Sequence, residues 1–288
     1  LLLSDDLRMS SGVGTVSKNF VLGTLHKYDW VQAGGAIKHP EEGKIVDMNE
    51  SIRKDTGIED ACLKIYPISG YGNQELVRQL INIEKPDAIL HYTDPRFWVW
   101  LFQMEHEIRQ HIPIMYYNIW DDLPYPMWNQ PFYESCDLMM NISKQTVNIV
   151  KNVRKNKPVT DTDNTYVPHG INEKYFFPIG EKDKVNLKNM NDLKKSILHG
   201  KDFPFIVLYN NRNIRRKLPG DVIMAYKKLA DEVGHENVAL VMHTAPIDDN
   251  GTDLPEVALN VIGEDANVYF SNQKLDPLGM NYLYNLNQ

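Results

Sequence analysis

The sequence predicts an α/β protein of two domains, each with a parallel sheet covered by helices. Short apolar runs alternate with segments of helical spacing along the 288 residues, which is the pattern of strand–helix–strand units. This rhythm stops in a polar stretch and then restarts. The composition, 42% hydrophobic and 24% charged, is that of an ordinary globular protein. No apolar run is long enough to span a membrane, so we expect no transmembrane segment.

In the first half, an apolar run at 1–4 is followed by a glycine turn and a helical pattern. Residues 30–37 are predicted as a second strand although they contain two glycines, and 38–62 read as polar and irregular. Helices are expected over 76–81, over 97–106 and after Ser143, which is a good N-cap. Further strands are predicted at 88–92, 113–119, 138–142 and 165–168.

The second half repeats the pattern after polar zones at 151–165 and 180–202. We therefore predict two Rossmann-like domains, 1–170 and 171–288. The Pro277 that follows Asp276 occupies the favoured first position of a final helix. Strands are predicted at 205–209, 238–242 and 268–270, with a helix over 222–233 between the first two. Ligands of such parallel sheets bind at the carboxyl ends of the strands.

Charge and cysteine content exclude some classes of function. The formal net charge of −7 argues against a general nucleic-acid binder, which carries a basic surface. Cys62 and Cys136 lie far apart, as expected for reduced thiols in a cytoplasmic protein. His106 and His111 are five residues apart and do not share a helix face, so we expect no zinc site and no metal.

The most informative segment is the cationic loop after the predicted strand at 205–209. It carries Arg212, Arg215, Arg216 and Lys217 within six residues and enters a helical pattern at Pro219. Helix N-termini favour anions, and arginine adds forked donors, so the loop suits a phosphate or diphosphate group. Arg212 and Lys217 are the stronger pair. The alternative is a solvated basic loop.

Three further segments are candidates. Gly12 and Gly14 follow the first strand and open a helix, which indicates either close backbone approach to a ligand or a tight structural turn. Asp121 and Asp122 follow the strand at 113–119, after Trp120, where paired acids could orient a sugar hydroxyl, act as a base or cap a turn. The segment 166–172 with the aromatic anchor 175–178 is a third element, with a purely structural link as its alternative.

Together these motifs resemble the retaining GT-B glycosyltransferases of the group 1 type, family 4, over nearly the whole chain. The resemblance rests on an ordered set of motifs. These are Gly12-Val-Gly14, Val167-Pro-His-Gly170-Ile-Asn172 with Tyr175-Phe-Phe-Pro178, Leu208-Tyr-Asn-Asn-Arg212 with Lys217, and Val268-Tyr-Phe270.

The resemblance implies two Rossmann-like domains that face each other across a cleft, with the acceptor in the N-terminal and the nucleotide-sugar donor in the C-terminal domain. Arg212 and Lys217 match the pair that grips the donor diphosphate, and Gly12 and Gly14 match the glycine loop near the donor phosphate. The family usually needs no metal or cofactor, since the sugar nucleotide is the substrate. The residues that match nucleotide-proximal segments are His243, Thr244, Phe270 and Asn272.

The chain departs from the family in two ways. Trp120 stands where the family commonly has a histidine before an aspartate, so Asp121 is left as the candidate catalytic, sugar-facing residue. The acidic motif that binds the donor sugar is expected beyond Gln288, and residues 1–4 read as the tail of a first strand. From these features we expect a chain truncated at both ends, with an incomplete donor site and little or no activity.

The predicted function is transfer of a sugar from a nucleotide-diphosphate sugar to an unknown glycan, lipid or protein acceptor. One alternative keeps the fold but makes the protein a nucleotide-sugar epimerase, with Asp121 and Asp122 as acid and base. A second alternative is a non-enzymatic, two-lobed sugar-binding protein. The fold alone does not choose among them.

Overall fold

The structure is a computed structural model that describes residues 1–36, 40–264 and 266–287. The chain divides into two compact units, Leu1–Gly170 and Ile171–Gln288. The described strands of the first unit are β1 (Leu2–Asp5), β2 (Trp30–Gly35), β3 (Val46–Asp47), β4 (Leu63–Pro67), β5 (Ile89–Tyr92), β6 (Ile114–Asn118), β7 (Leu138–Asn141) and β8 (Asn164–Tyr166). Its described helices are α1 (Gly12–Thr24), α2 (Asn49–Thr56), α3 (Gln74–Glu84), α4 (Val99–Gln103), α5 (Glu105–Ile108), α6 (Gln130–Glu134) and α7 (Lys144–Val153).

The strands of the first unit form one sheet in the order β3-β4-β2-β1-β5-β6-β7-β8. All neighbours are parallel except β3 and β4, which are antiparallel. The first unit's sheet is therefore mixed, with parallel neighbours throughout except for this one antiparallel edge pair. The chain first builds outwards from β1 through β2 and β4, and then returns to β1 on its other side with β5. The direction of winding thus changes between β1 and β5, the place where such sheets bind ligands.

Alternation along the central strands gives the first unit a core on each face of its sheet. Leu3, Ile89 and Tyr116 belong to one buried cluster, which also takes in Trp98 of a 3-10 turn. Their chain neighbours Leu2, Leu90 and Tyr117 belong to the other cluster. Strands buried on both faces read as continuous apolar runs, which is why β1, β5 and β6 are recognisable in the sequence.

The second unit has a three-stranded parallel sheet in the order β11-β10-β9. Its described strands are β9 (Phe205–Asn210), β10 (Val238–His243) and β11 (Val268–Ser271), and its described helices are α8 (Lys184–Ile197), α9 (Pro219–Val233), α10 (Leu254–Val261) and α11 (Pro277–Tyr284). Leu240 of β10 packs in the cluster of α9 and α10. Val241 packs in the cluster that includes Ile197 of α8 and Leu283 of α11. The sheet is therefore covered on both faces.

The described residues confirm the α/β class and correct several elements. The stretch 38–62 is not irregular, because it contains β3 and α2, and the polar zone 180–202 contains α8. Ile52 is the one buried residue of α2, and α8 buries Met190 and Ile197, so neither helix shows a clear apolar period. The helix predicted over 97–106 is broken into a 3-10 turn, α4 and α5. Sequence reasoning also passed over β4 and α10.

The predicted helix starts at Ser143 and Asp276 are confirmed, since each side chain accepts a hydrogen bond from the backbone three residues on. The second strand ends at Gly35, and Ile37 of the predicted range lies outside the described residues. A Cβ at Gly35 would come within 2.4 Å of the Gly70 carbonyl oxygen, which explains a glycine within this strand. Within the described part of the chain, no helix combines the length and apolarity needed to cross a membrane.

Candidate functional site

The carboxyl edge of the second unit's sheet carries the cationic loop. Strand register places Asn210, His243 and Ser271 side by side at the ends of β9, β10 and β11. After β9 the chain forms a 3-10 turn, Arg215–Lys217, and then begins α9 at Pro219. The prediction that the cationic loop joins a strand to the start of a helix is confirmed. The residue between turn and helix, Leu218, has a φ of 47°, an uncommon conformation for a leucine that sharply turns the chain.

Arg212 presents an exposed guanidinium group that is held at one point. Its side chain is 66% exposed, and its Nε donates to Asp248 Oδ2 at 3.3 Å. The Asp248 side chain is 16% exposed. The pKa of Asp248 is lowered, chiefly by the hydrogen bond from the Asn250 backbone and further by Arg212. Because the ion pair uses Nε, the two terminal nitrogens of Arg212 remain available to an incoming oxyanion.

Lys217 ends the 3-10 turn and is half-buried. Its backbone N–H donates to the Ile214 carbonyl at 3.0 Å, and Ile214 in turn donates to Arg212, so one chain of backbone bonds links the two cations. No carboxylate in the described ranges lies within ion-pair distance of Lys217. Arg215 and Arg216 are exposed, as a solvated part of the loop would be.

Asn213, which sequence reasoning missed, ties the cationic loop to the loop after β10. It is fully buried, and its Nδ2 donates to the carbonyl oxygens of Pro246 and Thr252, the latter at 2.7 Å. Its Oδ1 accepts from the Thr252 N–H. A Cβ at Gly251 would come within 2.2 Å of Asn213 Oδ1, so glycine is required there. An asparagine next to an arginine in a turn is common, so the sequence gives no signal that Asn213 bonds to another loop.

The residues matched to nucleotide-proximal segments divide into two groups. His243 ends β10, and its Nδ1 lies 3.0 Å from Ser271 Oγ; burial lowers its pKa, so the ring is neutral at pH 7. Thr244 is buried and donates its N–H to the Ser271 carbonyl. Asn272 is exposed directly after β11. Phe270, by contrast, packs against the α9–α10 core cluster.

In the first unit, Gly12 and Gly14 begin α1, where Ser11 Oγ accepts from the Gly14 N–H. The two glycines differ in their surroundings. A Cβ at Gly14 would lie 2.7 Å from the Met9 carbonyl oxygen, whereas one at Gly12 would meet nothing within 4 Å. Close backbone packing therefore accounts for Gly14, and it leaves Gly12 without a steric reason to be glycine.

Trp120 lies in the loop after β6, where it packs against neighbouring side chains. The Arg96 guanidinium lies 5.6 Å from the centre of the Trp120 ring, and Trp128 packs edge-on at 5.9 Å. Asp121 and Asp122 are exposed, and Asp121 contributes its carbonyl oxygen to a hydrogen bond from Gln145. The structure places Asp121 at a strand's carboxyl end, as predicted, with its carboxylate open to solvent.

A buried carboxylate, Asp5, ends β1 beside Thr93, and sequence reasoning did not select it. Ser11 Oγ and Thr93 Oγ1 lie 3.4 and 3.5 Å from its oxygens. Burial raises the pKa of Asp5, although hydrogen bonds from Ser11, Thr93 and Tyr71 act in the opposite direction. Its position at the end of the first strand, directly before the glycine turn, was the available signal.

The aromatic anchor at 175–178 has a structural role within the second unit. Asn281 Oδ1 accepts from the Phe177 N–H, and Asn285 Oδ1 accepts from the Ile179 N–H, both at 3.1 Å. These two asparagines lie one helical turn apart, Asn281 within α11 and Asn285 directly after its last residue. His169, in the preceding turn, packs edge-on against Tyr117 in the first unit.

No protein-family model matches the chain, and no curated protein matches it. Solved structures do match. An E. coli trehalose-6-phosphate protein bound with UDP-2-fluoro glucose is 14% identical, with a TM-score of 0.61 over 97% of this chain and 75% of that one. An α,α-trehalose-phosphate synthase (UDP-forming) from Burkholderia xenovorans, in complex with glucose-6-phosphate, is 11% identical, with a TM-score of 0.60 over 96% and 75% of the two chains.

A Listeria monocytogenes protein assigned as a UDP-N-acetylglucosamine 2-epimerase matches with a TM-score of 0.50, 15% identity and coverage of 93% and 68%. At such identities the likeness shows the fold alone. The fold is GT-B, as predicted. Enzymes of different chemistry share it, so the activity has to be argued from the residues of the site.

Proposed function

We propose that the protein is a retaining glycosyltransferase of the group 1, family 4 type that uses a nucleotide-diphosphate sugar. The observation that carries this proposal is the cationic loop at the carboxyl edge of the second unit's parallel sheet. There Arg212 is 66% exposed and anchored through Nε, and Lys217 lies on the same loop just before α9. Two cations at a helix N-terminus suit a diphosphate.

The chemistry needs this charge at the leaving group. When the bond between the sugar and the diphosphate breaks, negative charge accumulates on the diphosphate oxygens. Fixed cations that already point at those oxygens stabilise the charge without reorganisation. Arg212 supplies two forked donors and Lys217 a compact ammonium group, so we propose that no metal or other cofactor is needed for this step.

The remaining assignments follow the family resemblance. We propose that the second unit holds the donor, with the His243–Thr244 loop, Phe270 and Asn272 near the nucleotide, and that the first unit holds the acceptor. Phe270 would act through its packing in the core. One structural neighbour is bound with UDP-2-fluoro glucose, which supports a uridine nucleotide as the first donor to test.

The roles of Gly12, Gly14 and Asp121 stay predictions from the same resemblance. Gly12 and Gly14 are proposed to approach the donor phosphate, and Asp121 to be the sugar-facing catalytic residue. A cytoplasmic location is also proposed, and it is supported by the free thiols of Cys62 and Cys136.

UDP binding to site variants tests the proposal. Arg212→Ala and Lys217→Ala should each weaken UDP binding by about 1–3 kcal/mol, or roughly five- to 150-fold in Kd, because each removes a charged hydrogen-bond donor. Isothermal titration calorimetry on the full chain measures the effect. Arg216→Ala is the matched control, since Arg216 is an exposed arginine of the same loop.

Equal losses in all three variants would show that only the net charge of the loop matters, and the diphosphate assignment would be wrong. Product analysis separates transfer from epimerisation. A transferase consumes the donor sugar in proportion to acceptor, whereas an epimerase converts it when no acceptor is present. The epimerase alternative would rely on Asp121 and Asp122, which are both exposed.

A further inference from the structure

The first unit has a candidate ligand site of its own, here called the crevice, at the carboxyl ends of β1 and β5. Strand register places Asp5 and Thr93 as neighbours there, because Ser4 pairs with Tyr92. This is the point at which the winding of the sheet reverses, the place where sheets of this kind generally bind ligands. The neighbouring loops contribute Ser11 and Tyr71.

Asp5 supplies a buried hydrogen-bond acceptor to this crevice. It is 8% exposed, and its hydrogen bonds to Ser11 and Thr93 are long, at 3.4 and 3.5 Å. A carboxylate can accept at about four lone-pair positions. Ser11, Thr93 and Tyr71 take up to three of these positions, so Asp5 retains capacity for a hydroxyl group of a ligand.

Phe97 supplies an apolar platform that stacks on Tyr71, a hydrogen-bond partner of Asp5. Its ring lies parallel to the ring of Tyr71, with centroids 4.8 Å apart and planes 4° apart, yet Phe97 is 55% exposed. One ring face is thus held by Tyr71 while much of the side chain remains open to solvent. A rigid aromatic face next to a few polar groups is what binds the C–H face and the hydroxyls of a pyranose.

The arginines that follow these two strands are each paired with a carboxylate. Arg96 donates from Nε and Nη2 to the Asp94 carboxylate, at 2.9 and 2.5 Å. Arg8 donates from Nε and Nη2 to Asp6, and from Nη1 to Glu41 at 2.8 Å. The Nε–Nη2 fork of each guanidinium is directed at a carboxylate, so a phosphate that took the same bidentate fork would have to displace that carboxylate.

We propose that this crevice binds the acceptor as an uncharged sugar, with Phe97 as its stacking platform and Asp5 as the acceptor of its hydroxyl hydrogen bonds. The inference rests on the proposed function in that it calls the sugar an acceptor. It separates this protein from the Burkholderia xenovorans neighbour, whose complex contains glucose-6-phosphate. The feature that disfavours a phosphorylated sugar is local. Arg8 and Arg96, the arginines that follow β1 and β5 among the described residues, are each paired with a carboxylate.

Saturation-transfer difference NMR on the full chain tests the inference with stated probes. The neutral probes are the methyl glycosides of glucose, mannose, galactose and N-acetylglucosamine, and the charged probe is glucose 6-phosphate. We expect at least one glycoside to bind more tightly than glucose 6-phosphate. Phe97→Ala should weaken that binding about three- to tenfold, the worth of an aromatic contact.

Tyr28→Ala is the matched control. Tyr28 is 58% exposed, packs on Trp30 at 6.2 Å and precedes β2, at the amino edge of the same sheet. Its removal should leave glycoside binding unchanged. A second variant, Asp94→Asn, retains a side-chain oxygen for the N-cap but frees Arg96, and it should improve glucose 6-phosphate binding about two- to fivefold relative to the glycoside.

Tighter binding of glucose 6-phosphate to the unmodified protein would overturn the inference. So would equal effects of the Phe97 and Tyr28 substitutions, or no saturation transfer to any glycoside. UDP titration of the same samples separates the two proposals. If UDP binds and depends on Arg212 but no glycoside depends on Phe97, the inference fails and the proposed function stands. If a glycoside depends on Phe97 and UDP does not bind, the site is a sugar site and the proposed function fails.

Discussion

At the scale of single residues, the cationic loop shows that orientation is set by neighbours distant in sequence. Arg212 and Asp248 are 36 positions apart, and their ion pair engages Nε. The exposure of Arg212 makes this pair weak as a source of stability. The ion pair instead orients the flexible Arg212 side chain, and this lowers the entropy cost of binding an anion.

The Asp248 substitution tests this orienting role. Asp248→Asn should weaken UDP binding about two- to fivefold although it makes the site more positive, because Arg212 loses its anchor. Asp249→Asn makes the same change of charge on an exposed neighbour and should leave UDP affinity unchanged or slightly improved. The double variant with Arg212→Ala should bind no worse than Arg212→Ala alone. Additive losses in the double variant would show that Asp248 does not act through Arg212.

At the scale of elements, glycines that look alike in sequence have different tasks. Gly12 and Gly14 both begin α1, but only the second of them lies against backbone carbonyl oxygens. A Cβ added at Gly14 would lie 2.7 Å from the Met9 carbonyl oxygen, so the loop 6–11 would have to move. A Cβ added at Gly12 would meet open space, so no neighbour would have to move. The sequence predicted the turn, and the packing decides which glycine it depends on.

Alanine substitutions should separate the two glycines. Gly14→Ala is expected to lower the free energy of unfolding by about 1–3 kcal/mol through overpacking. Gly12→Ala should leave it unchanged or raise it by about 0.5–1 kcal/mol, since alanine is the better helix former. Urea denaturation followed by circular dichroism measures both. Equal destabilisation by the two substitutions would contradict the packing argument.

At the scale of the whole molecule, each unit is stabilised by clusters on both faces of its own sheet. The first unit includes a titratable group in that core. His91 is fully buried against Trp98, Phe102 and Tyr116, and burial lowers its pKa to about 3. Its ring is therefore neutral in the folded chain at every ordinary pH.

His91 should make the first unit sensitive to acid. In the unfolded chain its pKa is near 6.5, so below that pH the unfolded state binds a proton that the folded state does not. Stability should fall by about 1.4 kcal/mol for each pH unit from 6.5 down towards 3. His91→Phe should reduce this slope in urea titrations at pH 5, 6 and 7, while His106→Phe, at an exposed site, should not. An unchanged slope in the His91 variant would refute this assignment.

Much of the architecture follows from sequence alone, because a strand buried on both faces has to be apolar. β1, β5, β6, β9 and β10 were predicted for that reason, and the cationic loop followed from its place between β9 and α9. Elements with few buried residues, such as α2 and α8, carry no such signal and were missed.

The sequence by itself determined the α/β class, the most apolar strands and the run of cations, because the tendency of a residue to be buried and its charge depend on its side chain alone. The tertiary structure alone decided which partners these residues meet. It paired Arg212 with Asp248, joined two loops through Asn213, and set Asp5 beside Thr93 and Tyr71, whose ring stacks on Phe97. Each of these contacts joins residues tens of positions apart or on separate loops, and sheet order and register, which no local pattern encodes, bring them together.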